Sequence, residues 1–175
     1  MTLDNILEQI NKAEKIVILT HENPDGDAMG SSLAMYHALK AYGKNPDLVI
    51  PEHPKVFDCL PGINEIKTET NIEHYDLAIS LDCASIKMLN GFAQYFENAK
   101  EKVCIDHHGT NTMFGDYNYV NPDAPACAQI LLVILEYFGI EITKEIGTCI
   151  LAGIITDTGG FKYQGVTAET FEFVA

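Results

Sequence analysis

The stretch "KIVILTHENPDGDAMGSS", Lys15 to Ser32, decides the fold. Its opening "KIVILT" is a continuous β-branched run, the composition of a strand covered on both faces. That strand stops at His21. After the turn "HENPDG", Asp27 is placed to cap a helix running to about Tyr42, with Met29, Leu33, Tyr36 and Leu39 on one face and Gly43 closing the end. A histidine and two aspartates, His21, Asp25 and Asp27, therefore follow directly on a buried strand.

The same grammar recurs outward from this unit. Leu3, Ile6, Leu7 and Ile10 recur at helical spacing before it. Downstream, "PDLVIP" reads as a short strand, "VFDCLPGINEI" as a turn-rich connector, "DLAISLD" (Asp76 to Asp82) as a buried strand and "GFAQYFENA" as a helix. "KVCIDHH", Lys102 to His108, is a further strand, and "GDYNYVNP" an edge strand. Helices are expected from Cys127 to Phe138, from Lys144 to about Ile155, and from Thr167 onward. Apolar strands alternating with helical segments imply an α/β protein, a mostly parallel sheet with helices on both faces in the Rossmann-like manner.

Bulk properties narrow the partners. With 175 residues, 47% of them apolar, the chain reads as one domain with a sizeable core. Its 25 acidic and 11 basic residues give a net charge of −14, which opposes passive attraction to long duplex DNA or to an anionic membrane. Cys59, Cys83, Cys104, Cys127 and Cys149 form no C-x-x-C pair and mostly sit in apolar runs, as reduced, buried thiols do. The start of the chain lacks signal-peptide character, and no apolar run approaches the roughly 20 residues that span a bilayer. A cytoplasmic protein without disulfides is expected.

In open parallel sheets the working site lies outside the carboxyl ends of the strands. The acidic clusters follow that rule: His21, Asp25 and Asp27 after one strand, Asp82 ending another, Asp106, His107 and His108 ending a third, and Asp157 in the turn after "IGTCILAGIIT". Five aspartates in one crevice repel each other and raise each other's pKa values. No lysine or arginine lies within these motifs before Lys162, so divalent metal is the better counter-charge. Oxygen-rich donors with a minority of imidazole suit Mn²⁺ or Mg²⁺, and about six ligands make a pair of ions feasible. His37, His53 and His74 fall outside the motifs and read as surface or helix-face residues.

"HENPDGDAMGS", "SLDCAS", "CIDHH" and "AGIITDTGGF" resemble motifs I to IV of the DHH phosphoesterase superfamily, in order, with "NPDAPACAQILLVIL" resembling the segment between the last two. The form "DTGGFKY" is most similar to the DHH-DHHA1 nanoRNase type, which degrades very short oligoribonucleotides and dephosphorylates 3′-phosphoadenosine 5′-phosphate. The resemblance implies that His21 and Asp25 hold one Mn²⁺, that Asp27, His107 and Asp157 hold a second, and that Asp82 bridges them, Mg²⁺ being the alternative ion. It implies that Asp106 orients a histidine and that His108 faces the substrate phosphate. Ser31 and Gly159 are expected to join His108 in binding substrate.

The implied activity is hydrolysis of a phosphate ester by metal-activated water. Short oligonucleotides or phosphorylated nucleotides are the expected partners, and a homodimer is compatible with the sequence. Cyclic-di-AMP phosphodiesterase and pyrophosphatase-type chemistry share the motifs, and a non-catalytic nucleotide-binding scaffold is the non-enzymatic alternative. Nothing in the chain matches the glycine-rich DHHA1 motif of such proteins, and "GVTAETFEFVA" begins a helix without a stop signal. The expectation is a DHH catalytic domain over 1–175 without its substrate-binding partner domain, and with weak turnover on its own.

Overall fold

The computed structural model describes residues 3–163 and 165–175. The chain opens with α1 (Leu3–Lys12), β1 (Ile16–Leu19), α2 (Gly26–Ala41) and β2 (Asp47–Val49). Two short 3-10 turns lead to β3 (Ile66–Lys67), followed by β4 (Leu77–Leu81). A 3-10 stretch over Ile86–Phe92 runs into α3 (Ala93–Glu97), then come β5 (Glu101–Asp106) and β6 (Tyr117–Val120). The chain finishes with α4 (Cys127–Tyr137), α5 (Lys144–Asp157) and α6 (Ala168–Val174).

The described residues build one six-stranded sheet in the order β3-β2-β1-β4-β5-β6, parallel throughout. The chain thus winds outward from β1 in one direction and from β4 in the other. Crossovers of one hand that travel in opposite directions must lie on opposite faces. Accordingly α2 packs on one face and α3 on the other. The order reverses between β1 and β4, and open sheets of this kind place their ligands at that reversal.

Alternate strand residues feed two cores. Ile16, Ile18, Leu48, Ile79 and Ile105 face the larger layer, where α1, α2, α4 and α5 lie. Val17, Leu19, Val49 and Ala78 face a thinner layer made by α3 and the adjoining 3-10 stretch. The helices therefore cover both faces, unequally. All five cysteines are free thiols, four of them buried, with Cys59 exposed. No helix among the described residues is long and apolar enough to cross a membrane.

Several local expectations are corrected. α2 begins one residue earlier than Asp27: Asp25 is the cap, its Oδ1 accepting the N–H groups of Asp27 and Ala28, each at 3.0 Å. The single apolar stripe expected for α2 is also too narrow, because both flanks of the helix are buried, Ser31 and Ser32 included. Small residues on that second flank admit α5 at close range. The segment "GFAQYFENA" is helical only over Ala93–Glu97, since Asn90 (φ 43°, ψ −120°) breaks the preceding turn. β5 ends at Asp106, so the two histidines lie beyond the strand. Asp157 is the last residue of α5 and not part of the turn after it. The glycine Gly43, at φ +85°, does terminate α2 as expected.

The α2–α5 contact is set by two glycines. A Cβ on Gly30 would stand 2.5 Å from the Cys149 carbonyl oxygen, and one on Gly153 would stand 2.6 Å from the Ala128 Cβ and 2.7 Å from Asp27 Oδ1. Backbone cannot yield as a flexible side chain can. Gly30→Ala is therefore expected to cost about 1–3 kcal/mol through overpacking, lowering the thermal midpoint by roughly 2–4 °C per kcal/mol. Gly91→Ala, where a Cβ meets nothing within 4 Å, is the control expected to leave the midpoint unchanged. Equal melting of both variants would refute the close helix contact.

Candidate metal centre

The residues at the switch point converge in one crevice. His21 lies just past β1, Asp82 just past β4, and His107 and His108 just past β5; Asp25 and Asp27 open α2, and Asp157 closes α5. Three overlapping groups have ligand atoms within 4.8 Å of one another: His21, Asp25 and Asp82; Asp27, His107 and Asp157; Asp82, His107 and His108. Asp82 belongs to the first and to the third of these. Its Oδ2 faces His21 Nε2 at 3.9 Å, and its Oδ1 faces His107 Nε2 at 3.5 Å.

The spacings suit ions better than direct contacts. His107 Nε2 stands 3.3 Å from Asp157 Oδ2 and 3.9 Å from Asp27 Oδ2. Octahedral coordination at about 2.1 Å separates neighbouring donors by about 3.0 Å and opposed donors by about 4.2 Å. The observed distances fall within that range. Asp82 Oδ1 is buried and has no hydrogen-bond partner among the described residues. A buried carboxylate oxygen left unpaired is costly, and a cation is the group whose charge and size complete it.

Electrostatics agree. Burial, followed by the charges of Asp27, Asp25, Asp106 and Asp157, drives the Asp82 carboxyl well above the usual carboxylate range. Burial likewise raises Asp157. Asp27 is pushed up to about 7, chiefly by burial and in spite of the N–H groups of Ala128 and Cys127. His21 moves the other way, burial favouring its neutral, ligating form. The crevice as a set of bare acids thus favours protons, and a divalent ion would take their place.

Each donor is oriented by a specific local device. Asp27 accepts the N–H of Cys127 at 2.5 Å and of Ala128 at 2.9 Å, capping α4, whose own cap residue Ala126 supplies no side-chain acceptor. His107 directs Nδ1 to the Ala124 carbonyl oxygen at 3.3 Å, which leaves Nε2 for the cluster. Asp82, directly after β4, occupies a left-handed backbone conformation, φ +57°.

Asp106 orients a histidine, and the histidine is His108: Asp106 Oδ1 lies 2.7 Å from His108 Nδ1. Asn111 donates Nδ2 to the other carboxylate oxygen at 2.6 Å and to the Cys83 carbonyl at 3.0 Å. Burial works to raise Asp106, yet the hydrogen bonds from His108 and Asn111 outweigh it and hold its carboxyl below the ordinary range. The bond to Asp106 raises His108 in turn, keeping it readily protonated.

Of the remaining site expectations, Gly159 sits two residues beyond Asp157 in the turn after α5, with the Tyr163 ring packed over it. Ser31 is fully buried within α2, one turn after Asp27, its hydroxyl donating to the Ala28 carbonyl at 3.4 Å. Asn111 and the Ala124 carbonyl were not legible as site groups, because neither a lone amide in "GTNT" nor a backbone oxygen carries a periodic or compositional signal.

Comparison with known proteins places this arrangement. Residues 15–154 match the DHH family, N-terminal domain. The bifunctional oligoribonuclease and PAP phosphatase NrnA of Thermus thermophilus is 38% identical over 162 residues, covering 91% of this chain and 48% of that protein. An exopolyphosphatase-related protein from Bacteroides fragilis superposes with a TM-score of 0.91 at 29% identity, over 98% of this chain and 54% of that one. The manganese-bound exonuclease RecJ shares the fold, with a TM-score of 0.59 at 19% identity, over 98% of this chain and 45% of RecJ. The chain spans about half the length of the curated relatives it matches. Four ordered motifs, a Rossmann-type strand order and a match over most of its length agree, and this chain belongs to the DHH family, carrying that family's N-terminal domain.

Proposed function

We propose that this domain is the catalytic part of a two-metal phosphoesterase acting on short oligoribonucleotides or 3′-phosphoadenosine 5′-phosphate. The observation that carries the reading is Asp82, buried between two donor groups with one carboxylate oxygen toward each and one of them unpartnered. His21, Asp25 and Asp82 Oδ2 would hold one ion; Asp27, His107, Asp157 and Asp82 Oδ1 the other. Oxygen donors with two imidazoles favour Mn²⁺ over zinc, and RecJ, of like fold, is bound to manganese. The substrate class is supported by the 38% identity to a protein named for oligoribonuclease and PAP phosphatase activity.

Divalent ions held by these residues would supply Lewis acidity to phosphate oxygens and a water that ionises near neutral pH. The chain's own groups supply the rest. His108, its Nδ1 held by Asp106, has Nε2 free to give a proton to the departing oxygen. The raised pKa of His108 keeps that proton available. A net charge of −14 confines attraction for anions to the metal centre, which favours short substrates over long polymers.

Two outcomes test this reading. Calorimetric titration with Mn²⁺ should show two ions per chain, and Asp82→Asn should weaken binding more than tenfold and abolish Mn²⁺-dependent cleavage of a dinucleotide. An unaltered isotherm for the variant would reject the bridge. Because burial pushes Asp27 up to about 7 and also raises Asp82 and Asp157, protons compete with metal at acid pH. Mn²⁺ affinity should therefore rise by about tenfold or more from pH 6 to pH 8, and the thermal shift on adding Mn²⁺ should rise with it. Pyrophosphate in the same assay, cleaved faster than any dinucleotide, would redirect the substrate class.

A further inference from the structure

Beside the metal centre, the carboxyl ends of β1 and β2 bound a separate open cavity of about 510 Å³. Glu22, Asn23 and Pro24 form one wall, and they are the residues between the ligand candidates His21 and Asp25. Pro51, His53 and Pro54, with Glu52, form the wall after β2. The cavity therefore opens beside one half of the donor set and lies outside it.

Its chemistry is unlike that of a phosphate site. No lysine or arginine lines it, and the carboxylates of Glu22 and Glu52 repel a phosphate. Three prolines and an imidazole share the lining with these carboxylates and Asn23, giving it apolar as well as polar surface. The walls are also held in place: the Glu22 N–H donates to the Met88 carbonyl at 2.9 Å, Asn90 Nδ2 donates to Glu22 Oε1 at 2.5 Å, and His53 Nε2 stands 3.1 Å from Asp58 Oδ1. Asn23 is exposed at the rim, with an amide able to pair with a base edge.

The geometry points to this cavity as a nucleoside subsite: with a phosphate at the metal centre, the attached nucleoside occupies the space between residues 22–24 and 51–54, its base against His53. The assignment rests on the phosphoesterase reading and adds to it the half of the substrate that is not hydrolysed. It turns His53, a surface residue by its sequence context, into a determinant of nucleotide specificity.

The test compares inorganic phosphate with adenosine 5′-monophosphate on the Mn²⁺-loaded protein by calorimetry. One stacked base should make the nucleotide bind roughly fivefold or more tighter than phosphate. His53→Ala should remove that advantage and His53→Phe, which keeps a ring but loses the bond to Asp58, should retain it, with phosphate affinity equal in all three proteins. In metal-free protein, adenosine alone should shift the His53 ring resonances in NMR spectra. If phosphate binds but the nucleotide binds no tighter, or if His53→Phe loses as much as His53→Ala, the subsite is wrong and the metal centre stands. If phosphate fails to bind the Mn²⁺-loaded protein, the phosphoesterase reading falls and the subsite with it.

Discussion

A buried carboxylate must be answered by donors or by positive charge, and Asp27 shows how this molecule meets that demand. It lies in the first turn of α2 and takes the free N–H groups at the start of α4, one hundred residues later in the chain. One side chain thereby joins the first crossover helix to the last third of the fold. The same carboxylate stands 3.9 Å from His107 Nε2 in the crevice. Order in the crevice and order in the helical layer are consequently one problem, solved at one residue.

The close approach of α2 and α5 extends that solution. Gly30 lets the α5 backbone reach α2, and Gly153 leaves room for the Asp27 carboxylate itself. Asp157, at the end of α5, is thus held at a height fixed by helix packing. Rigid elements carry every donor except those of the loops after β1, β4 and β5, and these loops are short. A donor set so assembled would need little rearrangement to receive a metal ion.

Much of this was legible in the sequence. The strands after Lys15, Asp76 and Lys102 were plain because buried parallel strands are runs of β-branched and apolar residues, and the acids at their ends were plain because polar clusters interrupt those runs. The structure brings His21, Asp25, Asp27, Asp82, His107 and Asp157 into overlapping groups at the strand ends. What was not legible depended on partners distant in sequence. A helical wheel shows one apolar stripe on α2, and only the approach of α5 reveals a second buried flank. The sequence points to Asp27 as the cap of α2, and only the backbone shows that the Asp25 carboxylate faces the N–H groups there. β3, two residues long, carries too little pattern to detect.

The two adjacent imidazoles differ in what secures them. His107 is aimed by a main-chain oxygen, that of Ala124, whereas His108 is aimed by the side chain of Asp106, itself braced by Asn111. Replacing residue 124 alters a side chain but leaves the carbonyl where it is, so the first histidine is shielded from point substitution at its anchor. The second is not, since a single codon change at 106 or 111 releases it. Within one dipeptide the chain thus pairs an imidazole secured by main chain with one secured by exchangeable side chains.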